Sequence, residues 1–154
     1  MAKAWPVKID PDEPFGAAAR RVLDVRAREF VSYVPAAIGG DDIEHLHALR
    51  VANRRLRAVL EVFGDAFERR EHRAILREVK AAGDPLGEAR DLDVQIAFLE
   101  TFLDGAGPQD RPGVAGLIDE LRREREAAYA GFGPPLAHFA ASGFLARAQE
   151  LADS

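Results

Sequence analysis

Between His47 and Arg57 the chain reads His-Ala-Leu-Arg-Val-Ala-Asn-Arg-Arg-Leu-Arg, four arginines and one histidine in eleven residues with no acid among them. The chain as a whole carries a net charge of −5, so this is a local concentration of positive charge on an acidic protein. On an α-helix, at about 100° per residue, His47, Arg50, Arg54 and Arg57 fall within one arc of roughly 80°. Leu46, Leu49, Ala52, Leu56, Val59, Leu60 and Phe63 populate the opposite side, the stripe of a core-facing helix. Like charges held this close repel one another, and an ordinary amphipathic helix would set acids at i+4 to offset them. Here the acids stand at the flanks, as Glu44 and Glu61. Guanidinium groups donate hydrogen bonds in a planar fork that matches phosphate oxygens, often bidentately. The chemistry open to such a face is the holding of a polyanion.

Other chemistries find less support in the residues. The run Glu44-His45-Leu46-His47 contains one Glu-x-x-His unit, which a di-iron bundle would need twice together with two more inward glutamates. The adjacent arginines would repel a cation, so no metal ligands are assigned. Cysteine is absent, which removes disulfides and thiolate metal sites. No glycine-rich phosphate loop, nucleophile elbow or His-Glu-x-x-His motif occurs. The reading is therefore of a protein without catalytic residues and without a cofactor. Nucleic acid is disfavoured as a partner because no aromatic side chains interleave with the arginines as stacking platforms. An RNA- or nucleotide-binding protein, an enzyme acting on phosphate chains and a structural helical adaptor remain the competing classes.

The elements that must position these residues read as helices throughout. A chain of 154 residues with 47% hydrophobic and 31% charged content fits one globular domain. Residues 1–14, punctuated by Pro6, Pro11 and Pro14, form an extended lead-in, and residues 15–154 form the bundle. The spacing predicts a first helix from Phe15 to about Val34, ended by Pro35 and Gly39-Gly40. A second helix, about Asp42 to Phe63 with Asp41-Asp42 as its N-cap, carries the basic face. A third covers about Glu68 to Ala82. Gly83-Asp84-Pro85 reads either as a break or as a kink in a longer helix. A fourth helix runs from Leu86 to about Leu103, and a Gly- and Pro-rich loop covers 105–113. A fifth spans about Val114 to Ala130, Gly131 to Pro135 is a hinge, and a sixth closes the chain. No segment alternates with period two, so the fold class is an all-α antiparallel helical bundle of about six helices. The absence of a signal-like N-terminus and of any run of about eighteen apolar residues points to the cytoplasm and away from a membrane.

The stretch from His47 to Arg57 resembles the hallmark of the CHAD family, the conserved histidine α-helical domain, in His47, Arg50, Val51, Arg54, Arg55 and Arg57. A second signature of that family is matched by Leu86-Gly87-Glu88-Ala89-Arg90-Asp91-Leu92-Asp93-Val94. The resemblance implies a helical domain that binds inorganic polyphosphate in a basic channel, in some cases on polyphosphate granules. Carried over by position, it implies that His47, Arg50, Arg54 and Arg57 line the channel, joined by Lys80 and Arg90. Arg55, which points about 100° away from Arg54, and Arg77 are secondary positions. Asp91 and Asp93 are read as acids that orient arginines, with Arg54 to Arg57 as their candidate partners. The family's usual domain is about twice this length, with two similar halves, and the chain resembles the first half. A homodimer would restore a closed channel by symmetry, with the two basic helices around a shared cavity.

Overall fold

The computed structural model describes residues 3–39 and 43–153. The expected caps at Asp41 and Asp42, and the expected stop at Gly40, lie outside the described residues. Five α-helices pack antiparallel, and no strand occurs among the described residues. Helix α1 covers Phe15–Gly39, α2 Ile43–Val62, α3 Arg69–Gly105, α4 Arg111–Ala141 and α5 Phe144–Asp153. A short 3-10 turn, Gly64–Ala66, joins α2 to α3. Helix α1 lies along α2, α4 and α5, while α3 lies between α2 and α4.

Each helix buries a stripe at three- and four-residue spacing. In α1 this is Ala19, Val22, Leu23, Ala27, Phe30 and Val34; in α2 it is Leu46, Leu49, Ala52, Leu56, Val59 and Leu60. At one end of the core Phe30, Phe139 and Phe144 gather edge-on and tilted, with Phe139 and Phe144 centroids 4.4 Å apart. Such ring pairs add roughly 0.5–1.5 kcal/mol each beyond the area they bury. The lead-in joins this core through partly buried Val7, and the Arg21 guanidinium donates to the Lys8 carbonyl at 2.8 Å.

Five helices stand where about six were expected: expected helices run together at two places, and an unexpected break at Ser142-Gly143 adds one. Pro35 lies inside α1, which continues to Gly39. Pro85 lies inside α3, so of the two readings of Gly83-Asp84-Pro85 the longer helix is the one observed, and the third and fourth expected segments are one helix of 37 residues. The expected hinge at Gly131 to Pro135 is likewise inside α4, which ends only at Ala141. Each proline costs its helix one backbone donor and crowds the preceding turn, but a buried face runs through each site and holds the helix together. Val34 and Ala37 flank Pro35, Val79 and Leu86 flank Pro85, and Phe132 and Leu136 flank Pro134-Pro135. The chain breaks instead at Ser142-Gly143, where Gly143 has φ 74°, a left-handed conformation that glycine adopts without strain.

Gly83 has a further reason to be glycine. The buried Asn53 of α2 donates from Nδ2 to the Val79 carbonyl of α3 at 2.9 Å. A Cβ at position 83 would lie 2.3 Å from the Asn53 Oδ1. The missing side chain lets α2 and α3 approach closely at this level. In isolation, Gly83→Ala should gain about 1 kcal/mol from helix propensity, yet here we expect it to destabilise the protein. In an Asn53→Ala background the same change should become neutral or stabilising. Chemical denaturation of the two single variants and the double variant measures that coupling. Additive effects would mean that the two side positions do not compete for one space.

Candidate polyanion-binding cleft

The α2–α3 approach sets a cleft of about 230 Å³ between the two helices. Arg50, Arg54 and Arg57 line it from α2, with Asn53 at its base, and Lys80, Gly83, Asp84 and Gly87 line it from α3. Three expected cations of α2 and Lys80 of α3 are thus brought together. Glycines at 83 and 87, one turn apart, leave the α3 wall open beside Lys80 and Asp84.

The cations differ in what they touch. Arg57 Nε donates to Glu61 Oε1 at 2.9 Å, and Lys80 Nζ lies 3.3 Å from the same oxygen. The hydrogen bond from Arg57 holds the Glu61 carboxyl below its ordinary value, against the opposing effect of desolvation, and Lys80 adds to the lowering. Arg50 and Arg54 pair with no described residue, Arg50 half-buried and Arg54 exposed. Asp84 is the acid on the opposite wall. The cleft therefore holds two unpaired guanidiniums beside a shared Arg57–Glu61–Lys80 cluster.

The remaining expected residues lie elsewhere. His47 stands one turn before Arg50, outside the cleft lining, and its buried Nδ1 has no hydrogen-bond partner among the described residues. Arg90 is half-buried one turn beyond Gly87, also outside the lining. Arg55 turns to the other side of α2 and donates to Glu29 Oε1 at 3.0 Å. Glu29 is completely buried, pairs also with Arg26, and accepts from the Trp5 backbone at 3.2 Å. Arg77 is exposed on α3. Asp91 is exposed.

Asp93 does orient an arginine, but that arginine is Arg125 of α4 rather than one of α2. Its buried carboxylate accepts from Arg125 Nε on one oxygen and from the Tyr129 hydroxyl on the other, at 3.1 Å. The Arg125 guanidinium in turn sits 4.4 Å over the Tyr129 ring. Asp93 is three residues before Ile96 on the buried side of α3, which is why it meets α4 and not the cleft.

Residues 21–154 match the CHAD domain. The chain belongs to the CHAD family. A comparison with curated proteins found no match. CHAD domains are helical domains associated with polyphosphate and generally bind rather than catalyse. In this CHAD domain no helix among the described residues is long and apolar enough to cross a membrane. Among the described residues no group of three or more His, Asp or Glu side chains is arranged to hold a metal ion. A separate apolar cavity of about 410 Å³, between α3, α4 and α5, is lined by Phe132, Leu136 and Phe139 with the Glu78–Arg147 pair at its edge. It lacks the concentration of cations found in the α2–α3 cleft.

Sequence reading missed Asn53 and Asp84 as parts of the cleft, and Glu61 as the carboxylate that Arg57 and Lys80 share. It also missed Arg69, Arg70 and Arg73, which with Arg77 and Lys80 border an open groove on α3. Their spacing, 69, 70, 73, 77 and 80, is itself a helical stripe and was the available signal.

Burial, and then the Asp93 charge, push the Tyr129 phenol up to about 12, with Arg125 opposing. The folded state thus keeps a proton that the unfolded chain releases near pH 10. The stability this represents is full below that pH and is lost as the pH climbs through about 12. Ultraviolet titration of the phenolate should show a late step that Tyr129→Phe abolishes. A late step that survives the substitution contradicts the contact.

Proposed function

We propose that the α2–α3 cleft binds inorganic polyphosphate and does so without chemical turnover. The observation that carries this reading is the pair Arg50 and Arg54, unpaired in the cleft of an acidic chain and reinforced by Arg57 and Lys80. A linear chain of phosphates offers oxygens at short regular intervals, which suits guanidinium forks one turn apart on a rigid helix. His47 and Arg90 extend the row at its far end. Asp84 and Glu61 are the carboxylates that a polyanion must approach. Glu61 already screens Arg57 and Lys80, so ligand and Glu61 compete for the same donors. The cleft lining contains no aromatic ring, which disfavours stacked bases and hence nucleic acid. Association with polyphosphate granules in the cytoplasm follows from the same reading.

Titration with long-chain polyphosphate should give saturable binding that weakens as salt rises, since ligand binding releases counterions as it does for nucleic acid strands. Arg50→Ala and Arg54→Ala should each lose a charge-assisted contact of about 1.5–3 kcal/mol while the helix survives, because alanine is the better helix former. Arg54→Lys should also bind less tightly, lacking the bidentate fork. Glu61→Gln should bind more tightly, by removing the negative charge that competes at Arg57 and Lys80. Wild-type affinity in Arg50→Ala and Arg54→Ala, with the protein folded, would remove the cleft from the reading.

A second observation favours a homodimer. Val94, Phe98 and Phe102 recur every four residues on α3 and are 52%, 68% and 53% exposed. They face away from buried Ile96 and form an apolar stripe about 12 Å long. Scattered apolar residues are ordinary on a surface, but an aligned row of this kind supports a contact site. Paired antiparallel about a twofold at Phe98, the stripe covers itself, with Val94 of each copy against Phe102 of the other. Arg90, one turn before Val94, would then lie about 12 Å from the axis along the helix. Sedimentation at micromolar concentration should show a dimer that Phe98→Asp converts to a folded monomer. A wild-type monomer, or a dimer indifferent to Phe98→Asp, counts against this interface.

A further inference from the structure

We infer that the ligand track does not end at the cleft but continues along the first half of α3, over Arg69, Arg70, Arg73 and Arg77, so that the domain selects long polyanions over short ones. The inference rests on the proposed binding of polyphosphate and deepens it by assigning a second limb to the same site.

The register of the two helices carries the argument. Asn53 bonds the Val79 carbonyl, and His72 Nε2 lies 2.7 Å from the Leu60 carbonyl. Moving from the middle of α2 toward its C-terminus thus means moving toward the start of α3. The α2 row ends at Arg57, and the next cations in that direction are on α3. Lys80 borders both the cleft and the open groove of about 650 Å³ that follows it, and so joins them. From Gly87 to Arg70 the combined surface runs about 25 Å at 1.5 Å per residue.

Three of the four charges of this second limb stand uncommitted. Arg21, Arg28, Arg122 and Arg147 pair with acids although partly or largely exposed. Arg69, Arg73 and Arg77 pair with no described residue, while the Arg70 charge helps hold the nearby Glu68 carboxyl below its ordinary value. The acid in the groove lining is Glu68, whose carboxylate is engaged in capping α3 through the Arg70 and Glu71 backbone donors, both at 2.9 Å. Leu76 supplies the apolar floor between the guanidiniums. Four guanidiniums clustered around the single carboxylate of Glu68 in the groove lining repel one another, and a polyanion laid along the groove relieves that repulsion. A short phosphate oligomer fills the cleft and leaves the limb empty; a long one engages both.

Calorimetric titration of the whole chain with tripolyphosphate and with long-chain polyphosphate tests this. In Arg73→Ala/Arg77→Ala the affinity for the long chain should fall about fivefold to thirtyfold, two exposed charge contacts being lost. The slope of log affinity against log salt should drop by about one to two. Tripolyphosphate affinity should hold to within about twofold, and a control Arg111→Ala/Arg123→Ala on α4 should leave both ligands unaffected, although it removes as much charge. Both substituted pairs are exposed, and circular dichroism melting verifies their folding. Unchanged long-chain affinity in Arg73→Ala/Arg77→Ala, or equal loss for both ligands, overturns the second limb while the cleft reading stands. Failure of the wild-type chain to bind polyphosphate of any length overturns the functional reading itself.

Discussion

Two helix faces of like charge do not lie side by side unless something beneath them outweighs the repulsion. In this domain that is the contact of Asn53 with the turn of α3 around Gly83. Its amide donates to the Val79 carbonyl, and its oxygen occupies the space a Cβ would need. A buried amide left without its partner would cost about 1–3 kcal/mol, so the contact fixes both the separation and the register of α2 and α3. The cleft, its glycine wall and the bridging position of Lys80 all follow from that register.

The back of α2 is fastened as firmly as its front. Arg55 reaches a wholly buried Glu29, which also holds Arg26 and the Trp5 backbone. Breaking such a pair leaves a buried carboxylate with less compensation, which is far more costly than losing a surface ion pair. With Asn53 on one side and Arg55 on the other, α2 cannot roll about its axis. The row Arg50, Arg54, Arg57 is therefore presented in one orientation before any ligand arrives. The same residue type serves opposite ends here: Arg55 is structural because it has a buried acid, and Arg54 is available because it has none.

The helical class, the basic row and the two motif segments were legible because each is a local pattern. Leu46, Leu49, Leu56 and Leu60 alternate with the arginines at helical spacing, and the structure buries that stripe. Helix ends were less legible. Pro35, Pro85 and Pro134 carry strong local stop signals, but tertiary burial on both sides of each outweighs the lost backbone bond. The Asp93–Arg125 pair spans 32 residues, and Asn53–Val79 spans 26. Nothing in local spacing announces such partners, which is why Arg125 does not stand among the candidate partners of Asp93, nor Asn53 among the candidate site residues. The arginines of early α3 were visible as letters but lacked a motif to draw attention to them.

The segregation of charge has a kinetic meaning. Acids outnumber lysines and arginines by 26 to 21, so the molecule as a whole is negative at neutral pH. The unpaired arginines of α2 and early α3 stand together on the side bordered by the cleft and groove. A molecule so built has a dipole, and in the field of a distant polyanion it turns before it touches. Wrong-way encounters are repelled at a range set by the Debye length, about 8 Å at physiological ionic strength. Approach with the basic side leading is drawn in. An acidic protein can in this way meet an acidic polymer quickly, and at one orientation.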